Sequence, residues 1–370
     1  MSRYGAGSGI ESAKYHKQVN KGQVMPSTKV NREKFLHQLE SVQPGVSSRE
    51  ILEQSSCLIF KDGRVTSFND EVSCSSPSSL PKSITGAVRS EPLLAIVQKL
   101  GEEEIEVSCT TEELLITGKR KQIGCRLEAE IVLPIDVVEK PEKWIKLHED
   151  FADAVAIVEK CAAKDESQKT GFVHIHPKWL EACDHFQLAR WPMVMGIKKA
   201  FLVRQSSIRH VASLGMTDFA ETESWVHFRN ASGLVFSCRR HAEEYMDMTQ
   251  AFDVKGTPAV LPKGLVEAAD KANVFSADGA ENNQVMVDLQ PGKLKIRGQG
   301  VYGWYTESKK VKYDGKAIQF LINPELLADL VKRSSKCFVS PDRLKIDGGS
   351  YIYVTVLGSV EGNGEAVEAE

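Results

Sequence analysis

Three glycines in the last quarter of the chain have the spacing of the dinucleotide-binding pattern GxGxxG. They are Gly298, Gly300 and Gly303. In that chemistry the pyrophosphate binds at the N-terminus of a helix that directly follows the glycines. The residues that follow here, WYTE at 304–307, have the composition of a strand. The pattern therefore indicates a turn or bulge rather than a nucleotide site.

Two histidines on alternate residues form the second pattern that could do chemistry. His174 and His176 would place both imidazoles on one face of a strand, as in a metal site. A structural zinc ion needs four ligands, no third ligand is evident, and Pro177 follows at once. The pattern favours a hairpin edge with two exposed polar side chains, and we expect no bound metal.

Catalytic motifs are otherwise missing from the sequence. No GxSxG, HExxH or P-loop string occurs, and no cysteine stands beside an evident histidine partner. No carboxylate lies in the isolated apolar context that would raise its pKa. The sequence therefore predicts a protein that is not an enzyme, with no catalytic residues and no cofactor.

The elements that would position any site repeat three times along the chain. The second helix of each repeat starts at Glu91, Gln205 or Asn323, at intervals of 114 and 118 residues. The first helices start near Asn31, His148 and Pro262, at intervals of 117 and 114 residues. Two landmarks that keep the same period indicate triplication of one unit.

Strands and hairpin turns fill the rest of each repeat. Asp62-Gly63 and Pro291-Gly292 are turn signals between alternating runs such as KLKIR at 293–297. The predicted fold class is therefore α+β, with three repeated domains that each pack two helices on antiparallel sheets. The predicted parts are a mobile N-terminal tail at 1–26, domains at 27–143, 144–252 and 253–360, and an acidic C-terminal tail at 361–370.

Composition limits the protein class. The 370 residues carry a net charge of −3, which excludes a wholesale polyanion binder and leaves only local basic surface for nucleic acid. The eight cysteines never form CxxC, which is typical of reduced thiols. No apolar run of 18 residues and no signal-peptide core occurs. We expect a soluble, cytoplasmic protein.

Taken together, the repeats resemble one known family. WLEACDHFQLA at 179–189, KLKIRGQGVYGWYTE at 293–307, GRVTSFNDEVSCS at 63–75 and YIYVTVLG at 351–358 are similar to strand-and-turn segments of the bacterial replicative sliding clamp, the beta subunit of DNA polymerase III. The likeness covers nearly all of residues 28–357. It implies a processivity factor in which two subunits join head to tail, domain one to domain three, into a ring around duplex DNA.

The resemblance also implies two functional surfaces, and the first is a basic lining of the ring. Helices would face the hole, and their lysines and arginines would contact phosphates without reading sequence. The candidates are Arg32, Lys34, Lys99, Lys160, Lys164, Arg204, Arg209, Lys263, Lys271, Lys332 and Arg333. On an amphipathic helix the same residues could simply be the solvent face.

The second implied surface is a groove between domains two and three for peptide tails of the replicative polymerase and the clamp loader. By position it falls on Cys183, His185, Phe186, Gln187, Leu188, Met246, Gln250, Ala251, Ile352, Val354 and Val356. Gln187 and Gln250 stand where family members often carry arginine, and Met246 and Thr355 replace prolines. Leu188, Val354 and Val356 could equally be core, since apolar strand positions usually pack. The departures would suit a phage-encoded or otherwise distant member.

Two alternatives to the clamp stay open at this point. A triplicated protein-interaction scaffold that never encircles DNA has the same repeats and the same lack of catalytic motifs. An enzyme that uses the GxGxxG or His174/His176 patterns is the third. In the leading hypothesis the protein works at the nucleoid, or in a host's cytoplasm if a phage encodes it.

Overall fold

A computed structural model of the chain describes residues 27–165, 169–276 and 283–360, so both predicted tails lie outside the described residues. Repeat 1 has the strands and helices that follow. They are β1 (Thr28–Asn31), α1 (Arg32–Ser41), β2 (Cys57–Lys61), β3 (Arg64–Phe68), β4 (Val72–Pro77), β5 (Gly86–Arg89), α2 (Ser90–Lys99), β6 (Glu104–Cys109), β7 (Glu113–Gly118) and β8 (Lys121–Glu128).

Repeats 2 and 3 have the same order of elements, except that repeat 3 has one extra short strand, β21. Repeat 2 consists of β9 (Ile145–Lys146), α3 (Phe151–Val158), β10 (Phe172–His176), β11 (Trp179–Cys183), β12 (Gln187–Pro192), β13 (Phe201–Arg204), α4 (Gln205–Ile208), β14 (Asp218–Glu221), β15 (Trp225–Arg229) and β16 (Val235–Arg239). Repeat 3 consists of β17 (Thr257–Val260), α5 (Leu265–Ser276), β18 (Val285–Gln290), β19 (Lys293–Gly300), β20 (Gly303–Lys310), β21 (Lys312–Tyr313), β22 (Ile318–Ile322), α6 (Pro324–Arg333), β23 (Lys336–Val339), β24 (Arg343–Asp347) and β25 (Ile352–Val356).

The expected α+β class is confirmed. The helices begin where their capping residues indicate: the Asn31 side chain accepts from the backbone N–H of Lys34, and the Asn323 side chain from those of Glu325 and Leu326. Pro324 occupies the first turn of α6, where its missing N–H costs nothing. Helix α4 has only four residues and continues as a 3₁₀ turn over Arg209–Ser213.

Each repeat builds two antiparallel sets of strands, of four strands each except the second set of repeat 3, which has five. In repeat 1 the sets are β5-β2-β3-β4 and β1-β6-β7-β8, and they are continuous because β5 pairs with β8. The sheets of neighbouring repeats join edge to edge. Strand β4 pairs with β16, giving a 12-stranded sheet, and β12 pairs with β25, giving a nine-stranded sheet. Both larger sheets contain strands from two predicted domains. The exact boundaries between the domains stay predictions.

The core lies between the helices and the sheets. Phe35 and Leu39 of α1, Phe151 and Val155 of α3, and Leu265 of α5 are fully buried. These residues recur at helical spacing and so form one apolar stripe on the buried face of each helix. Among the described residues, no helix has both the length and the apolar character needed to cross a membrane.

Both chemically suggestive patterns lie on strands. Gly298 and Gly300 belong to β19 and Gly303 begins β20, so no helix follows the glycines. A Cβ atom on Gly298 would lie 2.0 Å from the Ala272 carbonyl oxygen of α5, so glycine is needed for that helix to pack on the sheet. The GxGxxG pattern therefore does not form the nucleotide site that the enzyme alternative would use.

The histidine pair does not lie at a hairpin edge, and that expectation was wrong. Strand β10 pairs on both sides, with β11 and with β13, because β13 returns to the sheet after a crossover. His174 stacks on Tyr245 with ring centroids 4.7 Å apart, and His176 stacks on Trp179 at 3.6 Å. Within 27–165, 169–276 and 283–360, no group of three or more His, Cys, Asp or Glu could hold a metal ion.

Candidate partner cleft and nucleic-acid interface

The joint between repeats 2 and 3 is a pair of antiparallel strands with a cleft beside it. Leu188 of β12 lies opposite Val354 of β25, and Gln187 lies opposite Thr355. The backbone N–H of Val356 donates to the Phe186 carbonyl at 2.8 Å, and the Thr355 hydroxyl donates to the same oxygen at 2.9 Å. The two repeats are therefore tied together at the base of the cleft.

The cleft has a volume of about 710 Å³. Its apolar lining comes from both repeats: Phe186 from repeat 2, and Leu321, Ile322, Leu326 and Val356 from repeat 3. Phe186 and Val356 are 57% and 51% exposed, which is unusual for large apolar side chains beside a well-packed joint. Concave sites with an apolar lining and a few polar groups are the usual form of a ligand site.

A polar network fixes the shape of the cleft next to Phe186. The Asp184 carboxylate accepts from the backbone N–H groups of Phe186 and Gln187, both at 2.7 Å, in an Asx turn. The Gln187 amide donates to the Lys160 carbonyl and accepts from the Tyr353 hydroxyl at 2.8 Å. Gln187 thus uses its side chain to hold the walls together, and burial raises the pKa of Tyr353 well above its usual value.

The structure divides the predicted groove residues into three groups. Phe186, Gln187 and Val356 line the cleft. Cys183, Leu188 and Val354 are buried beneath it in a separate cluster with Phe252, which Ala251 and Ile352 also contact. His185, Met246 and Gln250 are exposed; Met246 and Gln250 lie on the segment that connects repeats 2 and 3.

Several cleft residues were missed from the sequence. Leu321, Ile322 and Leu326 lie at the end of β22 and the start of α6, and Tyr353 lies on β25. The sequence signal nearest to them is the Asn323-Pro324 cap, which starts α6 beside the cleft. Arg333, predicted to face DNA, lines this cleft and lies over the Tyr353 ring at 5.8 Å.

The predicted DNA-facing residues are mostly exposed. Eight are exposed in the structure, and they are Lys34, Lys99, Lys160, Lys164, Arg209, Lys263, Lys271 and Lys332. Lys271 pairs with Glu307 and Lys332 with Asp329, while half-buried Arg32 pairs with Glu33. Lys160, Lys164 and Arg209 also line the cleft.

Arg204 has a different environment from the other predicted lining residues. Its guanidinium lies 3.1 Å from the Glu71 carboxylate across the joint of repeats 1 and 2, and 5.1 Å from the Phe172 ring centre. His241 contacts the same carboxylate at 3.3 Å. Burial raises the pKa of Glu71, but the hydrogen bond from His241 and the charge of Arg204 outweigh it and leave the pKa below its usual value.

Comparison with known proteins gives a likeness in structure alone. No protein-family model and no curated protein sequence matches the chain. The beta subunit of DNA polymerase III from Thermotoga maritima is similar with a TM-score of 0.77 and 16% identity, over 90% of this chain and 99% of that one. The Bartonella birtlesii sliding clamp bound to griselimycin has a TM-score of 0.78 and 15% identity, over 91% and 100%.

A third solved structure gives the same result. The DNA polymerase sliding clamp from Bacillus subtilis has a TM-score of 0.73 and 15% identity, over 90% of this chain and 99% of that one. The chain therefore has the fold of these sliding clamps along almost its whole length. The fold that the sequence resemblance implied is confirmed.

Proposed function

We propose that the protein is a DNA sliding clamp, a ring that encircles duplex DNA without reading its sequence and tethers the replicative polymerase. The observation that carries the proposal is the likeness to sliding clamps over nine-tenths of this chain and nearly all of each neighbour. In this proposal the clamp has no catalytic activity and needs no cofactor. It works in the cytoplasm, at the nucleoid.

A head-to-tail homodimer would close the ring. The two joints inside the chain both pair the third strand of one repeat's first sheet with the last strand of the next repeat. The equivalent strands that no inner joint uses are β20 in repeat 3 and β8 in repeat 1, and β20 and residues 122–126 of β8 each have one edge without a partner strand among the described residues. A heterologous contact of this kind closes into a ring when the rotation between copies is right.

Exposed lysines on the helices support the DNA contact. Lys34 and Lys99 lie on α1 and α2, Lys263 lies two residues before α5, and none of them forms an ion pair with a described residue. Such side chains can neutralise phosphates, and the contact then weakens as salt rises. The net charge of −3 leaves the rest of the surface acidic, which disfavours binding elsewhere.

Retention on circular DNA tests encirclement. The protein is loaded onto nicked circular DNA with the clamp loader of the same cell, and the complex is isolated by gel filtration before and after one restriction cut. We expect retention on the circle and loss after linearisation, because a ring slides off a free end. Retention that survives the cut would identify an ordinary DNA-binding protein, and no retention would favour the protein-interaction scaffold.

Charge reversal of the lining has a matched control, and both are measured as affinity for duplex DNA at several salt concentrations. Lys34→Glu and Lys99→Glu together should flatten the dependence of log affinity on log salt by about two phosphate contacts, roughly 0.9 per contact. Lys61→Glu is the control, because Lys61 lies on β2 and pairs with Asp136. An unchanged slope in the double variant would remove both lysines from the lining.

We also propose the cleft between repeats 2 and 3 as the site for peptide tails of the polymerase and the clamp loader. Phe186 and Val356 offer exposed apolar surface there, and Asn323 and Arg333 offer polar groups. Short peptides commonly dock with a few apolar anchors in such a groove. Phe186→Glu should weaken polymerase binding at least tenfold, whereas Val132→Glu, at an exposed apolar position outside the cleft, should not.

A further inference from the structure

The outer edges of two strands have no partner strand among the described residues. Strand β20 pairs only with β19, and residues 122–126 of β8 pair only with β7. We propose that β20 of one copy pairs antiparallel with β8 of a second copy in one register, with Trp304 opposite Arg126 and Tyr305 opposite Cys125. The inference rests on the proposed ring and adds the register and the side chains that specify it.

Equivalent positions in the three repeats follow from their hairpins. In the first sheets, Lys61 opposite Arg64, His176 opposite Trp179, and Gln290 opposite Lys293 each close a two-residue turn. Counting along the next two strands makes three positions equivalent. They are Val72 of β4, Gln187 of β12 and Tyr305 of β20.

The second sheets align in the same way. The backbone N–H groups of Thr110, Thr222 and Ser340 each donate to the carbonyl three residues later and so start equivalent turns. Counting from these turns makes Cys125 of β8, Cys238 of β16 and Thr355 of β25 equivalent. At the inner joints Val72 lies opposite Cys238 and Gln187 lies opposite Thr355, so the rule places Tyr305 opposite Cys125.

The two inner joints also share one backbone hydrogen bond beside these pairs. The N–H of Arg239 donates to the Glu71 carbonyl at 2.9 Å, and the N–H of Val356 donates to the Phe186 carbonyl at 2.8 Å. The equivalent bond between copies runs from Arg126 to Trp304. The next pair, Tyr305 and Cys125, is then a non-hydrogen-bonded pair, in which Cα atoms lie about 4.5 Å apart.

The exposure of the two strands agrees with this register independently. Along β20, Trp304, Thr306 and Ser308 are exposed, while Tyr305 and Glu307 are half-buried. Along β8 the exposed residues are Gln122, Gly124 and Arg126, while Ile123 and Cys125 are half-buried. In the proposed register, each pair from 304–126 to 308–122 joins either two exposed residues or two half-buried residues. A slip of one residue would set every half-buried side chain against the solvent face.

Side-chain chemistry at the joint is complementary. Trp304 is 61% exposed and the Arg126 side chain is 85% exposed, and a guanidinium over an indole is a favourable cation–π contact. Val301 and Tyr302, in the turn before β20, are exposed apolar residues that the second copy would cover. In the like-charged pair Lys309 and Lys121, each ammonium already has a carboxylate partner in its own repeat.

A cysteine cross-link tests the register. Cys125 is half-buried, whereas the other seven cysteines are buried and all eight are free thiols. In Tyr305→Cys, mild oxidation should join most of the protein into a covalent dimer on a non-reducing gel, because the proposed pair has the Cα separation that a disulfide needs. Adding Cys125→Ser should abolish the product, and Thr306→Cys, which reports a slip of one residue, should give little.

The outcomes separate the register from the ring itself. A cross-link in Thr306→Cys instead of Tyr305→Cys would overturn the register. So would a dimer by native mass spectrometry that gives no cross-link in Tyr305→Cys or in a second pair, Glu307→Cys with Ile123→Cys in the Cys125→Ser background. A monomer by native mass spectrometry would overturn the proposed ring. Trp304→Ala should weaken the dimer roughly tenfold, and Arg126→Ala should add little once Trp304 is gone.

Discussion

The two joints between repeats inside the chain have the same backbone turn but different side chains beside it. At both, an Asx turn precedes the paired strand: the Asn69 side chain accepts from the N–H groups of Glu71 and Val72, and that of Asp184 from those of Phe186 and Gln187. The residue directly before the paired strand is Glu71 at the first joint, between repeats 1 and 2, and Phe186 at the second joint, between repeats 2 and 3.

Different side chains also lie beside the strands at the two joints. At the first joint Glu71 pairs with Arg204 and His241, and Arg239 bonds to the Asp70 carbonyl at 2.8 Å, so charged groups fill the space. At the second joint the exposed ring of Phe186 borders an open cleft of about 710 Å³. The comparison teaches that a repeat joint has an open cleft beside it where apolar surface stands in place of ion pairs.

The paired strands themselves also differ. Ser73 lies opposite Ser237 at the first joint, where the second has Leu188 opposite Val354. At this pair of positions, an apolar contact at the second joint replaces a polar one at the first. The predictions below test this contrast.

The largest effect should come from the packed pair of the second joint. Leu188→Ala removes a side chain that is 3% exposed, so the free energy of unfolding should fall by about 3 kcal/mol. Phe186→Ala, two residues earlier and mostly exposed, should change it by less than about 0.5 kcal/mol. Urea unfolding of the two variants measures both. Similar losses in both would mean that Phe186 packs into the joint and that the cleft is not open in solution.

Acid should weaken the first joint before the second. His227 lies behind that joint, with its imidazole 2.8 Å from the Ser237 hydroxyl, and burial lowers its pKa to about 4. The unfolded imidazole binds a proton near pH 6.5, so between pH 6.5 and 4 only the unfolded chain is protonated and stability falls as pH falls. Above pH 6.5 the full stability is present. The equivalent residue at the second joint is Lys345, which donates to the Phe252 carbonyl at 3.1 Å.

The expected cost at pH 5 is about 2 kcal/mol relative to pH 7, from one group whose pKa differs between the two states. Urea unfolding at the two pH values measures it. His227→Gln keeps a hydrogen-bonding side chain and should remove this part of the pH dependence. A variant with the same pH dependence as the parent chain would show that His227 is not the responsible group.

The sequence predicted the features that depend on neighbouring residues and missed those that depend on contacts between repeats. The α6 start at Asn323-Pro324 and the turns at Asp62-Gly63 and Pro291-Gly292 depend on neighbouring residues, and all three were predicted. Phe186, Gln187 and Val356 were reached through the family resemblance. Leu321 and Tyr353 were not, because their place in the cleft depends on how one repeat packs against another.

The role of Arg204 shows the same limit. On the sequence it is a basic residue at the start of a helix, and it was predicted to face DNA. Its partner Glu71 belongs to another repeat, and neither hydrophobic periodicity nor charge spacing reports a contact between distant segments. Once the strand pairing is known, the equivalence of the repeats identifies Glu71 as a joint residue, because it occupies the position that Phe186 has at the second joint.

The smallest effect should come from the ion pairs that close the first joint. Glu71→Gln keeps the size of the side chain and removes the charge that faces Arg204 and His241. Because Glu71 is partly exposed and water screens such pairs, we expect a loss of about 1 kcal/mol in the free energy of unfolding at pH 7. Phe186→Gln is the matched change at the equivalent position and should leave stability within about 0.5 kcal/mol while weakening partner binding. If Glu71→Gln cost nothing and Phe186→Gln destabilised the protein, the two joints would have the reverse of the roles assigned to them, with the first open to partners and the second closed.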